Sequence, residues 1–105
     1  GVARGCAGGE VKARRKDANH NTITGVLRQV GAELLETYQL PAALDVFVAY
    51  RGRWVLLEIK DGTKPPSARK LTEDEAATVA RIARTGAPVH VVTTPDEALK
   101  AIGAL

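Results

Sequence analysis

Three residues of this 105-residue chain could act together on one reacting group: Asp45, Glu58 and Lys60. They lie on two runs rich in β-branched and aromatic residues, Leu44 to Tyr50 and Trp54 to Lys60, which read as strands. The link between them is Arg51-Gly52, a hairpin turn whose type the sequence leaves open. With a loop of two residues, Tyr50 pairs with Arg53, and counting away from the turn sets Asp45 opposite Glu58. Residues opposed across an antiparallel pair share a face, and Lys60, two positions beyond Glu58, joins them. One residue more or less in the loop would send the carboxylates to opposite faces.

Two carboxylates opposed on an apolar sheet face repel one another, and burial favours their neutral forms. A hard divalent cation removes the conflict, because Mg²⁺ takes oxygen ligands and is commonly held by one or two carboxylates plus water and phosphate oxygens. Asp45 and Glu58 are the candidate metal ligands, and the backbone carbonyl of Ile59 is a third. A metal so held lowers the pKa of a bound water and stabilises charge developing on a phosphate. Lys60 could position or deprotonate that water, or stabilise the charged transition state; both roles stay open. With no Ser/His or Cys/His pair visible, a phosphodiester suits these residues better than a peptide or ester. The competing reading is a solvated, salt-bridged sheet face, since Glu-x-Lys on a strand is by itself a weak signal.

The remaining elements must hold this hairpin in place. Residues 1–13 are rich in Gly and Ala without periodicity and read as a flexible arm, which leaves 14–105 as the domain. Ile23, Val26, Leu27 and Val30 form a helical stripe that Gly31 stops. A short, mixed strand is expected over Glu33 to Tyr38. After Lys60 comes a polar, proline-containing loop, 61–70, and then a helix opened by a capping box of Thr72 and Glu75. That helix carries Ala76, Val79, Ala80, Ile82 and Ala83. Pro88 to Thr93 reads as a short buried strand. A last helix follows, with Thr94 as cap, Pro95 in its first turn and Glu97 closing a second capping box. The order α-β-β-β-α-β-α, with a helix between the third and fourth strands, predicts an α/β domain with a mixed sheet flanked by helices. Tyr50 and Trp54 flank the turn as an expected cross-strand aromatic pair, and His90 is expected to be structural.

Composition sets the outer limits. The length fits one domain, and 45% apolar with 26% charged residues is ordinary for a soluble globular protein. No apolar run approaches the roughly 18 residues of a membrane span, and the N-terminus lacks a secretory pattern, so a cytoplasmic protein is expected. Cys6, the only cysteine, can form no internal disulfide and lacks the partners of a zinc site. A chain this small gains burial by pairing with a second copy. Net charge is +3, unevenly spread: six basic against two acidic residues in 1–28, and again in 51–70, but three against five from 71 onward. Arg14, Arg15 and Lys16, with Lys64, Arg69 and Lys70, are therefore candidates for holding a phosphate backbone. A basic but merely solvated surface is the alternative.

Asp45, followed by the strand ending Glu58-Ile59-Lys60, resembles the PD-(D/E)XK nuclease superfamily, whose restriction-endonuclease-like core is α-β-β-β-α-β. The stretch from Leu56 to Thr72, the segment Arg15 to His20 and the final Asp96 to Gly103 look like small phage and prophage proteins of this class, close to VRR-NUC and Holliday-junction-resolvase-like nucleases. The resemblance covers about residues 15–103. It implies Mg²⁺- or Mn²⁺-dependent cleavage of DNA, often branched DNA, and frequently a homodimer. Two positions depart from the pattern. Leu44 replaces a proline before the aspartate, and the first helix reads Asn19-His20-Asn21 where relatives often place a metal-assisting Glu or Gln. Asn19 and His20 are accordingly the auxiliary candidates. His20 could approach the site, or hold a water or phosphate, or simply begin a helix.

Overall fold

Ile23 and Leu27 lie one helical turn apart, both fully buried, and they decide which side of the sheet is closed. The computed structural model describes residues 16–38, 40 and 44–105; the expected arm at 1–13, with Arg14 and Arg15, lies outside them. Helix α1 (His20–Gln29) ends where Gly31 and Ala32 donate to the carbonyls of Arg28 and Leu27, a paired closure of the Schellman type. Its buried stripe is His20, Ile23, Thr24 and Leu27, one turn earlier than expected from Val26 and Val30. Val26 is half-buried, and Val30, the C-cap past the last helical turn, is exposed.

Strands β1 (Glu33–Glu36), β2 (Val46–Tyr50), β3 (Arg53–Ile59) and β4 (Val89–Val92) form one sheet in the order β1-β2-β3-β4. The first three are antiparallel neighbours, and β4 runs parallel to β3 after a crossover through helix α2 (Glu73–Ala83). A single 3-10 turn, Pro66–Ala68, lies within that crossover, and helix α3 (Pro95–Ile102) ends the chain. Among the described residues the domain is α/β with a mixed sheet and three helices, as the pattern predicted. Val46 and Val48 of β2, and Val55, Leu57 and Ile59 of β3, point to one face. There they form the core with Ile23 and Leu27 of α1 and Ala98 and Ile102 of α3. Each such side chain contributes about 1.5–3 kcal/mol by leaving water.

Helix α2 lies over the opposite face, and it does not pack as its apolar stripe suggested. Glu75 and Thr78 are its buried residues, Val79 and Ile82 are half-buried, and Ala76, Ala80 and Ala83 are exposed. The sheet beneath carries Glu58 and Lys60, so the helix turns its polar row inward to meet them. β4 is likewise not the buried strand expected: it is an edge strand, with His90 and Val91 exposed and only Val92 buried. The capping box at α2 is complete. At α3 it is half-formed: Thr94 accepts from the Glu97 N–H, but the Glu97 carboxylate reaches past it to the Thr93 amide and hydroxyl. Among the described residues, no helix is long and apolar enough to cross a membrane.

The hairpin register follows the expected parity from Tyr50↔Arg53 to Val46↔Leu57. Both turn residues have positive φ, 50° at Arg51 and 80° at Gly52, which makes the turn type I′. A left-handed arginine costs about 1–2 kcal/mol. Its guanidinium lies 5.1 Å over the Tyr50 ring, and such an exposed contact returns only about 0.5–1 kcal/mol. Asn tolerates the left-handed region, so Arg51→Asn should raise the urea midpoint of unfolding with an unchanged slope. A lowered midpoint would show that the stacking outweighs the strain.

Candidate functional site

Asp45 was expected directly opposite Glu58, but the ladder stops one step short of it. Val46 is opposed to Leu57, and the Asp45 N–H also donates to the Leu57 carbonyl, 3.1 Å away. Two residues thus face one, the pattern of a β-bulge, which bends the strand and re-aims a side chain. The Asp45 carbonyl accepts from Thr37 N–H at 2.9 Å, so its backbone is held between β1 and β3. Its carboxylate turns into the sheet's own plane, where Oδ2 accepts the Ile59 N–H at 2.7 Å. Ile59 therefore contributes its amide to the site, where its carbonyl had been singled out. Asp45 is buried, and its charge still reaches Glu58.

Glu58 points from β3 toward α2 and is 2% exposed. Burial, with the Asp45 and Glu75 charges and a hydrogen bond shared with Glu75, pushes its carboxyl up to about 8. Lys60 lies between the two glutamates, its Nζ 3.3 Å from Glu58 Oε2 and 2.9 Å from Glu75 Oε1. Burial pulls the ammonium down, but the hydrogen bond to Glu75 and the two glutamate charges outweigh it and hold Lys60 above its ordinary value. Burial raises Glu75, yet hydrogen bonds from the Thr72 amide, Lys60 and Glu58 bring it below the usual carboxylate range. At neutral pH the proton therefore sits on Glu58, while Glu75 balances Lys60.

Glu75 is the site residue that sequence reasoning missed. It was recognised only as the closing residue of a capping box, and the same oxygen performs both tasks, accepting the Thr72 amide and the Lys60 ammonium at 2.9 Å each. A carboxylate fixed at a helix start by its own cap, directly after a Glu-x-Lys strand, was the available signal.

Asn19 and His20 separate in their roles. Asn19 stands at the N-cap of α1 but makes no capping bond with its side chain. Its Nδ2 instead donates to the carbonyls of Lys60 and Thr93, at 3.1 and 2.9 Å. The ends of β3 and β4 are thereby tied to α1, and the backbone of Lys60 is fixed. His20, 1% exposed, meets Glu36 on β1 with Nε2 at 2.9 Å and the Tyr38 ring edge-on. Arg28 completes that group by donating to the other Glu36 oxygen. Burial raises Glu36, but His20 and Arg28 overcome it and hold its carboxyl low. His20 thus belongs to a hydrogen-bonded group with Glu36 beneath β1, on the face away from Glu58.

Of the basic candidates, Lys64 and Lys70 are exposed and Arg69 is half-buried, all on the loop that leaves Lys60 for α2. Arg69 keeps a buried Nε without a hydrogen-bond partner. Lys16 is exposed before α1, donating to Asn21 and lying 5.0 Å over the Tyr38 ring.

Among the described residues, no three His, Cys, Asp or Glu side chains already stand in a metal-holding arrangement. The donor chemistry nevertheless fits a divalent cation. Glu58 Oε1 is a buried carboxyl oxygen without a hydrogen-bond partner, a cost that native structures ordinarily avoid. Comparison with family models, curated protein sequences and solved structures returns no match.

Two outcomes follow from this geometry. Glu58 moves from an ordinary 4.5 to about 8 on folding, so the folded state binds the extra proton in that window and stability falls as pH rises through it. The carboxylates held low, Glu36, Asp61, Glu75 and Glu97, act below that window. In EDTA, Tm should therefore fall between pH 5 and pH 8, and Glu58→Gln should flatten the fall; an equal fall in both proteins would contradict the assignment. Asn19→Ala leaves two carbonyls without their donor and should cost about 1–3 kcal/mol in denaturant unfolding. A loss below a few tenths would mean that water replaces the amide.

Proposed function

We propose that this domain is a metal-dependent endonuclease that hydrolyses DNA phosphodiester bonds, with a restriction-endonuclease-like arrangement of the PD-(D/E)XK kind. The reading is carried by one observation: a buried Glu58 with an unpartnered oxygen, flanked by Asp45 and Lys60 where β2 and β3 part. Asp45 and Glu58 would hold Mg²⁺ or Mn²⁺, with the Ile59 carbonyl as a further ligand. When bound, the metal supplies an acidified water and charge stabilisation at the phosphate.

The chain's own residues do the rest. The Ile59 amide orients Asp45. Glu75 holds the Lys60 ammonium by its oxygen, and Asn19 fixes the backbone beneath it. Lys60 is thus presented as a charged donor, suited to stabilising a phosphorane-like transition state. Lys64, Arg69 and Lys70, on the loop beginning beside Lys60, would follow a phosphate backbone, and Arg14, Arg15 and Lys16 belong to the same proposal as further phosphate contacts. Such contacts give strong salt dependence and little sequence preference. Branched DNA and a homodimer belong to the same proposal.

A second reading, a binding module that keeps the fold without cleavage, is favoured by one observation. His20 is committed to Glu36 instead of approaching Asp45 and Glu58, so α1 brings no further ligand to them.

Cleavage of labelled duplex, flap, four-way junction and single strand, with Mg²⁺, Mn²⁺ or EDTA, separates the two. The nuclease reading expects cleavage only with metal and at least a hundredfold loss, roughly, in Glu58→Ala and Lys60→Ala. Binding in low salt without any cleavage would establish the second reading instead. Glu75→Gln keeps the acceptor oxygen but removes the charge beside Lys60. It should reduce kcat about tenfold, some 1.4 kcal/mol, and move the alkaline limb of the pH profile downward. An unchanged profile would remove Glu75 from the site.

A further inference from the structure

Along β3, Val55, Leu57 and Ile59 enter the core, so Trp54, Leu56 and Glu58 occupy the other face. Trp54 and Glu58 lie four residues apart, about 13 Å along a strand. Helix α2 covers the Glu58 end of this face and leaves the Trp54 end open. There, between β3 and the end of α2, a groove of about 470 Å³ is lined by Phe47, Trp54, Leu56, Ile82 and Pro88, with Arg81 its charged member. Phe47 and Trp54 meet edge-on, centroids 6.3 Å apart and planes at 82°. They remain 39% and 55% exposed. The aromatic pair expected across the turn is thus Phe47 with Trp54, on the open face, while Tyr50 packs against the core.

We infer that this groove takes an unpaired nucleobase of the DNA strand whose phosphate is held at Glu58 and Lys60. The inference rests on the nuclease reading for the identity of that phosphate. Three features select a base as the occupant. The walls are apolar and aromatic, and bases stack on such surfaces irrespective of sequence. Among the described residues the lining contains no carboxylate, and its one charge is a guanidinium, which can lie against a π face or donate to base edges and phosphate. The groove and the phosphate site also share one strand, with Trp54 and Glu58 on the same face of it. A second copy fits less well, because a two-fold contact on this groove would bring two arginines into one apolar interface.

Trp54 is the only tryptophan of the chain, so its fluorescence reports on the groove alone. In EDTA, where no cleavage occurs, the protein would be titrated with an oligothymidylate and with an abasic strand of equal phosphate number. Saturable quenching by the thymidylate is expected, with the abasic strand binding at least fivefold more weakly, roughly one stacked base. Anisotropy of labelled strands should show that Trp54→Ala and Phe47→Ala lose this preference; both side chains are exposed, and circular dichroism checks the fold. Equal affinity for the two strands, or no binding of either, overturns the inference. So does a Trp54 spectrum that shifts with protein concentration without DNA, the sign of a second copy over the groove. Base preference without cleavage in any metal would keep the groove and remove the nuclease; cleavage without base preference would do the reverse.

Discussion

A carboxyl group buried on a sheet face, with two other carboxylates within reach of it, cannot ionise freely and cannot be hydrated. Glu58 is in that position, and much of the structure around it answers the resulting charge problem. Lys60, the residue that follows β3, lies on the same face and places one positive charge between two glutamates. Helix α2 presents Glu75 and Thr78 to the sheet and leaves its alanines to solvent. The helix has ordinary apolar residues available for packing, so its orientation follows from the ionic group below it. The β-bulge at Asp45 has the same logic. It takes a second carboxylate out of direct opposition and ties it to the Ile59 amide.

The site and the fold are therefore not separable layers. Asn19 begins α1, yet its side chain spends its hydrogen bonds on the carbonyls of Lys60 and Thr93. The helix that closes the core thereby also registers the end of β3. His20, the next residue, anchors the same helix start to β1 through Glu36. One short segment thus braces the sheet at both edges, with the catalytic candidates where β2 and β3 part between them. Retaining a protonated glutamate in that place works against stability at neutral pH.

Much of this was legible in the sequence, and the remainder was hidden for identifiable reasons. The hairpin parity was readable because a two-residue turn leaves only one register, and it put Glu58 and Lys60 on one face, while Asp45, expected opposite Glu58, is displaced by the bulge. The bulge was not readable, since it arises where the chain arrives from β1 and no residue at Leu44 or Asp45 announces it. The α1 stripe was placed one turn late because His20 and Thr24 are polar letters at buried positions. Glu75 carried two functions on one oxygen, and the local one, the cap, concealed the distant one. The exposure of β4 depends on how far α2 covers the sheet, which is a tertiary fact.

The proposed role of these acidic groups is jointly to hold a cation. Isothermal titration of the metal-free protein with Mn²⁺ at neutral pH, in two buffers of different ionisation enthalpy, tests it most directly. The account predicts saturable binding with release of a proton, because the cation must displace the one on Glu58, and loss of that binding in Glu58→Ala. No binding, or binding that Glu58→Ala retains with the same proton release, would contradict it.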